Sequence, residues 1–248
     1  MTLKEFFKAT PKAAVAFSGG VDSAYLLYSA KRYADEIKAY YVKSEFQPQF
    51  ELKDALQLAK ELDVEIKILE LEILSNENVA ANPKNRCYYC KKDIFTAIAA
   101  AAKKDGFTLL LDGTNASDKR EDRPGMTALE ELEVVSPLRE CGLTKEEIRS
   151  LSREAGLFTW DKPSYACLAT RIPEGERITC EKLAATESAE DYLFSLGFTD
   201  FRVRSHDGNG LIQIREQQWE LFTKHREDIL NSLKENYKTV ALDLEVRG

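Results

Sequence analysis

Two spacings of apolar positions divide the chain. Short apolar runs of strand type stand at Ala13–Phe17, Ile37–Val42 and Phe107–Leu111, with an alternating run at Val64–Leu69. Between them, from Ala24 onward, over residues 50–62 and over Lys91–Lys104, apolar residues recur every three or four positions, the spacing of a helix with one buried face. Strands that alternate with helices pack as a parallel sheet wrapped on both faces. Thr144-Lys145-Glu146-Glu147 is a capping box, which predicts a helix to about Ala155, stopped by Gly156. The pattern changes near Asp161. Residues 162–180 combine prolines, glycine and cysteines with little periodicity. A helix (181–196), a strand (200–205), an Asp-Gly-Asn-Gly turn, a strand (211–215), a helix (216–235) and a last strand (239–246) are predicted beyond it. That order is close to a small split-βαβ, ferredoxin-like unit. The expected architecture is an α/β domain over 1–160, its parallel sheet carrying helices on both faces, and a smaller α+β domain over 161–248.

The first strand runs into Ser18-Gly19-Gly20-Val21-Asp22-Ser23, and a helix begins directly after. A glycine turn between strand and helix brings bare N–H groups to an anion, and the helix N-terminus adds its own donors and its positive dipole end. Ser18 and Ser23 supply hydroxyl donors, and Asp22 is placed to hold Mg²⁺ against phosphates. By pattern alone the same residues also make an ordinary strand–turn–helix corner. The lysine that a P-loop kinase carries before its Ser/Thr is missing. In a parallel sheet ligands sit at the carboxyl ends of the strands, which places Gly113 and Thr114 beside Ser18. The polar stretch Asn115–Gly125 reads equally as a solvated loop or as part of the site.

Composition narrows the class. The 248 residues are 44% apolar and 31% charged, as in a soluble globular chain of one or two domains. No signal-type start and no apolar run near the roughly 18 residues of a membrane span is present, so the cytoplasm is expected and a membrane is not. The net charge of −7 disfavours nucleic acid as a partner. Five cysteines in such a chain point to metal ligands or reactive thiols rather than disulfides. Cys87-Tyr88-Tyr89-Cys90 is a CxxC flanked by Arg86, Lys91 and Lys92. A zinc ribbon needs a second pair, and a thioredoxin-type motif needs a strand directly before it; neither is there. A third ligand would be Cys167, or else Cys180 or Cys141. Three thiolates on a [4Fe–4S] cluster leave one iron open to an exogenous sulfide. A Cys₃ zinc site and two plain helix-face thiols are the competing readings.

These motifs in order, with Asp112-Gly113, Asp122-Arg123-Pro124-Gly125, Cys167 with Arg171, Ile172-Pro173, Gly175, the run Glu190–Phe198, Arg202-Val203-Arg204 and Leu242–Arg247, resemble LarE-type ATP-dependent sulfur transferases of the PP-loop ATP pyrophosphatase superfamily over nearly the whole chain. SGGxDS alone is specific only to the superfamily. The resemblance implies a Rossmann-like PP-loop domain that uses ATP and Mg²⁺, adenylates a carboxylate of pyridinium-3,5-biscarboxylic acid mononucleotide with release of pyrophosphate, and lets a sulfur nucleophile displace AMP. The thiocarboxylate formed leads to a nickel-pincer cofactor. It implies nucleotide binding by Ser18, Gly19, Gly20, Asp22, Ser23 and Gly113. Catalytic roles fall to Asp22, Cys167 and Glu190, and substrate binding to Arg171, Arg202, Arg204 and Arg247. Some members sacrifice the sulfur of one cysteine, at the position of Cys167; others carry three cysteines on a [4Fe–4S] cluster. Cys87 and Cys90 stand where single-cysteine members have other residues, and one residue fewer separates Cys167 from Arg171, so the cluster form with Cys87, Cys90 and Cys167 is expected. Homo-oligomers are implied as well.

Arg202 and Arg204, two apart on a strand, share a face and suit an anionic substrate; their bland reading is a solvent-facing stripe. The rival functions are a tRNA thiolase with a three-cysteine cluster, an amidating synthetase of the same superfamily, and a non-enzymatic nucleotide-binding module with structural zinc.

Overall fold

A computed structural model describes residues 1–118 and 124–245. In chain order the regular elements are α1 (Leu3–Ala9), β1 (Lys12–Ala16), α2 (Val21–Tyr33), β2 (Glu36–Lys43), α3 (Gln49–Glu61), β3 (Ile66–Glu70), α4 (Glu77–Ala80), α5 (Arg86–Lys104), β4 (Leu110–Leu111), α6 (Gly125–Glu131), α7 (Pro137–Glu140), α8 (Lys145–Glu154), α9 (Cys180–Ser195), β5 (Arg202–His206), β6 (Asn209–Gln213), α10 (Trp219–Leu233) and β7 (Thr239–Leu242). They form two compact units: Met1–Ile73 with Asn85–Lys162, and Leu74–Lys84 with the described residues from Pro163 onward.

The first unit is a parallel sheet in the order β3-β2-β1-β4, with Val15 opposite both Ala39 and Leu111. Alternation along the strands sends Ala13, Val15, Ala39 and Tyr41 into a core with Leu26 and Leu27 of α2, Leu58 of α3 and Ile148 of α8. Ala14, Tyr40 and Val42 face the other way, against Phe95, Ile98 and Ala102 of α5. Burial on both faces is why β1 reads as a continuous apolar run. The chain leaves β1 towards β2 on one side while β4 lies on the other, so the loop after β1 opens at a topological switch point.

The predicted strand at Phe107–Leu111 is reduced to Leu110–Leu111. Gly106 (φ 84°) and the bond from Phe107 N–H to the Ala102 carbonyl make Phe107 part of the exit from α5, its ring 6.4 Å from that of Tyr40. Beyond β4, Leu111 bridges Val135 in parallel.

The second unit holds a three-stranded sheet in the order β5-β6-β7. β5 and β6 pair antiparallel through a turn with positive φ at Asp207 and Gly208, the type I′ geometry that Asp-Gly supports. β6 and β7 pair in parallel as direct neighbours, so the βαβ element is not split by an intervening strand as a ferredoxin-like unit would require. Leu193 of α9, Phe198, Phe201, Val203, Ile212, Ile229, Leu233 and Tyr237 form its core. Residues 74–84 join this unit through Asn82. The Asn82 side-chain amide donates to the carbonyls of Ile172, Pro173 and Glu176, and the Asn82 backbone carbonyl accepts from Gly175 N–H. Bonds linking residues so far apart in sequence leave no local signature. Among the described residues no helix is long and apolar enough to cross a membrane.

Candidate active site

The turn after β1 has the conformation its glycines allow. Gly19 sits at φ 77°, and a Cβ there would stand 3.2 Å from the Glu51 carbonyl oxygen; a side chain would meet both the left-handed backbone penalty and α3. Gly20 caps the 13-residue α2. Ser18 Oγ and Ser23 Oγ lie 3.1 Å apart, Ser23 Oγ also accepts from Ser18 N–H at 3.3 Å, and it donates to the Gly20 carbonyl at 3.1 Å. The two hydroxyls thus fasten the turn onto the first turn of the helix, whose unpaired N–H groups form an anion seat.

Asp22 is the electrostatic centre of this turn. Its Oδ2 accepts from Lys145 Nζ at 2.5 Å, while its buried Oδ1 has no hydrogen-bond partner among the described residues. A buried carboxylate oxygen without a donor is costly, and it fits a cation brought in with a phosphate ligand. Lys145 is the partner of Asp22 that the sequence left unread. The capping box marks only a helix start, yet it puts a lysine on the first turn of α8. The parallel bridge at Val135 precedes that helix, a hint that the helix begins at the sheet's carboxyl end.

Gly113 follows β4, and a Cβ on it would lie 2.9 Å from Ser23 N and 3.1 Å from Ser23 Cα. Only glycine lets this loop touch the first turn of α2. Asp112 accepts from Ser136 Oγ at 2.5 Å and from Thr114 Oγ1. The start of the polar stretch is ordered rather than loose: Asn115 N–H donates to Asp118 (3.0 Å), Ser117 N–H to Asn115 (2.8 Å), and Lys145 N–H to Ser117 Oγ (3.0 Å). Asp122 and Arg123 lie outside the described residues.

In the second unit, Arg171 and Glu190 form a buried pair, 0% and 1% exposed. Arg171 Nε and Nη2 donate to the two Glu190 oxygens at 2.8 and 3.0 Å. Val203 N–H adds a bond to Oε1 at 2.9 Å and Tyr165 Oη one to Oε2 at 2.5 Å. Both carboxylate oxygens are therefore held. Burial works against the Arg171 charge, but the bonds to Glu190 and its negative charge outweigh it and hold the guanidinium above its ordinary value, with Cys167 contributing in the same direction. The arginines reach the loop that carries Cys167. Arg171 Nη1 donates to the Ala166 carbonyl (2.9 Å), Arg202 Nη2 to that of Ser164 (2.7 Å) and Arg204 Nη1 to that of Thr170 (2.6 Å). Arg202 is buried and Arg204 half-buried. β5 therefore shows no solvent-facing arginine stripe; its arginines hold loop carbonyls. Arg247 lies outside the described residues.

Cys87 is exposed and Cys90 half-buried, one helical turn apart on α5 and so on one face. Arg86 is buried, its guanidinium 5.9 Å from the Phe46 ring and its Nη2 3.8 Å from Cys87 Sγ. Gly125 admits α6 close to this turn, since a Cβ there would meet Lys91 Cδ at 2.6 Å and the Cys87 carbonyl at 3.3 Å. Cys87 and Cys90 belong to the first unit, Cys167 to the second. Burial pushes the Cys141 thiol up, and Cys180 is exposed at the start of α9.

Known proteins place this arrangement. The family model described as queuosine biosynthesis protein QueC matches residues 12–88. The chain is 32% identical to pyridinium-3,5-bisthiocarboxylic acid mononucleotide synthase of Lactiplantibacillus plantarum over 98% of this chain and 89% of that one. The chain belongs to the LarE family. LarE-type proteins fall within the PP-loop ATP pyrophosphatase superfamily, and the parallel sheet with its SGGVDS turn has that superfamily's fold. An uncharacterized protein of Synechocystis sp., slr1717, is 35% identical over 98% of this chain and 92% of its own. A tRNA-specific 2-thiouridylase MnmA of Pseudothermotoga lettingae is 28% identical over 67% of this chain and 58% of its own. Family and turn together mark the chain as an ATP-using, sulfur-transferring enzyme.

Proposed function

We propose that the chain adenylates a carboxylate of a pyridinium dicarboxylate mononucleotide and converts it to a thiocarboxylate. The carboxylate oxygen attacks the α-phosphorus of ATP, pyrophosphate leaves, and the acyl adenylate forms. A sulfide then adds to the acyl carbon and AMP departs with the original carboxylate oxygen. A free carboxylate resists this attack because its charge repels nucleophiles and oxide is a hopeless leaving group; adenylation removes both obstacles. The observation that carries the reading is the buried Asp22 Oδ1, without a hydrogen-bond partner among the described residues, on a glycine turn at a helix N-terminus. Ser18, Gly19, Gly20, Ser23 and Gly113 hold the phosphates. Asp22 would hold Mg²⁺, and Lys145, now on Asp22, is placed to meet the pyrophosphate as charge builds there. Arg247 and half-buried Arg204 are proposed for the substrate's anionic groups, while the buried Arg171 and Arg202, with Glu190, fix the loop that carries Cys167.

Sulfur enters through thiols. Two thiols on one helix face beside a buried arginine fit two ligands of an iron–sulfur cluster, and Cys87, Cys90 and Cys167 are proposed as the set for [4Fe–4S]. Those three thiolates would hold the cluster, which would leave one iron free to present sulfide sulfur. Direct sacrifice of the Cys167 sulfur is the alternative. Iron and acid-labile sulfide assays on anaerobically purified wild type and on the Cys87→Ala, Cys90→Ala and Cys167→Ala variants test the assignment; equal iron in all four proteins contradicts it. The likeness to MnmA favours a second reading, tRNA thiolation, and the net charge of −7 weighs against it. A gel shift with tRNA decides between them. The proposed setting is the cytoplasm, in a homo-oligomer.

A further inference from the structure

We infer that Tyr165 is the positioning residue for the Cys167 thiol, an inference that rests on the reading of Cys167 as the sulfur-handling group. Residues 162–167 have no regular secondary structure, so no helix or strand ladder fixes the approach to Cys167. Side chains do it instead, and they converge on Tyr165. Its hydroxyl donates to Glu190 Oε2 at 2.5 Å. Its ring lies 4.5 Å from the Arg171 guanidinium and 5.1 Å from that of Arg202, both buried, where attraction between a cation and a ring is strongest. The same two guanidiniums hold the carbonyls of Ala166 and Ser164, on either side of Tyr165 in the chain. Ring, hydroxyl and the Ala166 peptide are thereby tied to the buried Arg171–Glu190 pair, and the Ser164 peptide to Arg202. Cys167 comes two residues later, its own carbonyl accepting from Thr170 N–H at 3.0 Å and Thr170 Oγ1 at 2.8 Å. Without the ring, Arg171 keeps Glu190, but both arginines lose the surface that aligns them with the loop.

The test compares Tyr165→Phe and Tyr165→Leu in the full chain as purified. Alkylation of Cys167 by N-ethylmaleimide is followed by peptide mass spectrometry, with exposed Cys180 of the same unit as the internal reference for reagent reactivity. Steady-state thiolation and ATP–pyrophosphate exchange are measured beside it. Tyr165→Phe keeps the ring and stays within about threefold of wild type throughout. Tyr165→Leu frees the loop: Cys167 alkylation rises about tenfold with Cys180 unchanged. Its thiolation kcat falls about tenfold while exchange and the KM for ATP hold. Cys167 alkylation within twofold of wild type in Tyr165→Leu overturns the inference, as does a parallel fall in the urea midpoint of the second unit read by Trp219 fluorescence in a Trp160→Phe background, which would show a general loosening. A wild type without exchange or thiolation would sink the proposed function instead, and the alkylation ratio would still decide the role of Tyr165.

Discussion

Glu190→Gln is the most informative single change. Glu190 is 1% exposed and accepts four hydrogen bonds, two from the fully buried Arg171. The substitution keeps the shape but removes the charge, leaving a guanidinium in the interior with no counter-charge across from it. Breaking a buried pair from one side costs about 3–5 kcal/mol, against about 0–1 kcal/mol for an exposed pair. The chain has two tryptophans, Trp160 in the first unit and Trp219 in the second. In a Trp160→Phe background, Trp219 fluorescence therefore reports unfolding of the second unit alone. With a urea slope of about 1.5 kcal/mol per M, a loss of about 3 kcal/mol moves the midpoint down by about 2 M. Adding Arg171→Met to Glu190→Gln should recover part of the loss, since the stranded charge goes with it. A midpoint shift below about 0.5 M for Glu190→Gln would refute the reasoning, because the pair would then behave as if solvated.

Three further outcomes follow from the first unit. Gly113→Ala pushes a methyl to 2.9 Å from the Ser23 backbone, so a loss of about 1–3 kcal/mol in chemical denaturation and weaker ATP binding by calorimetry are expected; unchanged values would show that the loop yields freely. Lys145→Met should lower ATP–pyrophosphate exchange by about tenfold to a hundredfold with the circular dichroism spectrum intact, and Lys145→Arg should restore part of it; wild-type exchange in Lys145→Met removes the lysine from the mechanism. Bonds from Lys67 and Tyr40, with Lys38 nearby, hold Asp105 down at about 2, below its ordinary 3.8. A depressed carboxylate contributes stability above its unfolded value and loses it as pH falls through the folded one, so the loss should run from about pH 4 to pH 2, and Asp105→Asn should flatten that limb of an acid titration.

What could be read from the chain was local. Ser18–Ser23 lies in one turn, its glycines and helix start are adjacent in sequence, and the apolar runs of β1 and β2 are short-range, so the strand–turn–helix corner and the parallel sheet were both legible. Gly113 was legible because Asp-Gly closes an apolar run. Lys145 was not, for its partner is Asp22, far back in the chain. Arg202 and Arg204 were correctly placed on one face, but only the returning loop at Ser164–Thr170 explains why that face is covered. The attachment of residues 74–84 to the second unit rests on Asn82 and the carbonyls near Pro173, pairings that no periodicity encodes.

The central claim is that ATP activates a carboxylate before sulfur arrives. Pyridinium dicarboxylate mononucleotide labelled with ¹⁸O in its carboxylates, incubated with the enzyme, ATP, Mg²⁺ and sulfide, tests it directly by mass spectrometry of the nucleotide product. The expected result is AMP carrying one ¹⁸O per thiocarboxylate formed. Unlabelled AMP, or ADP in its place, would contradict it.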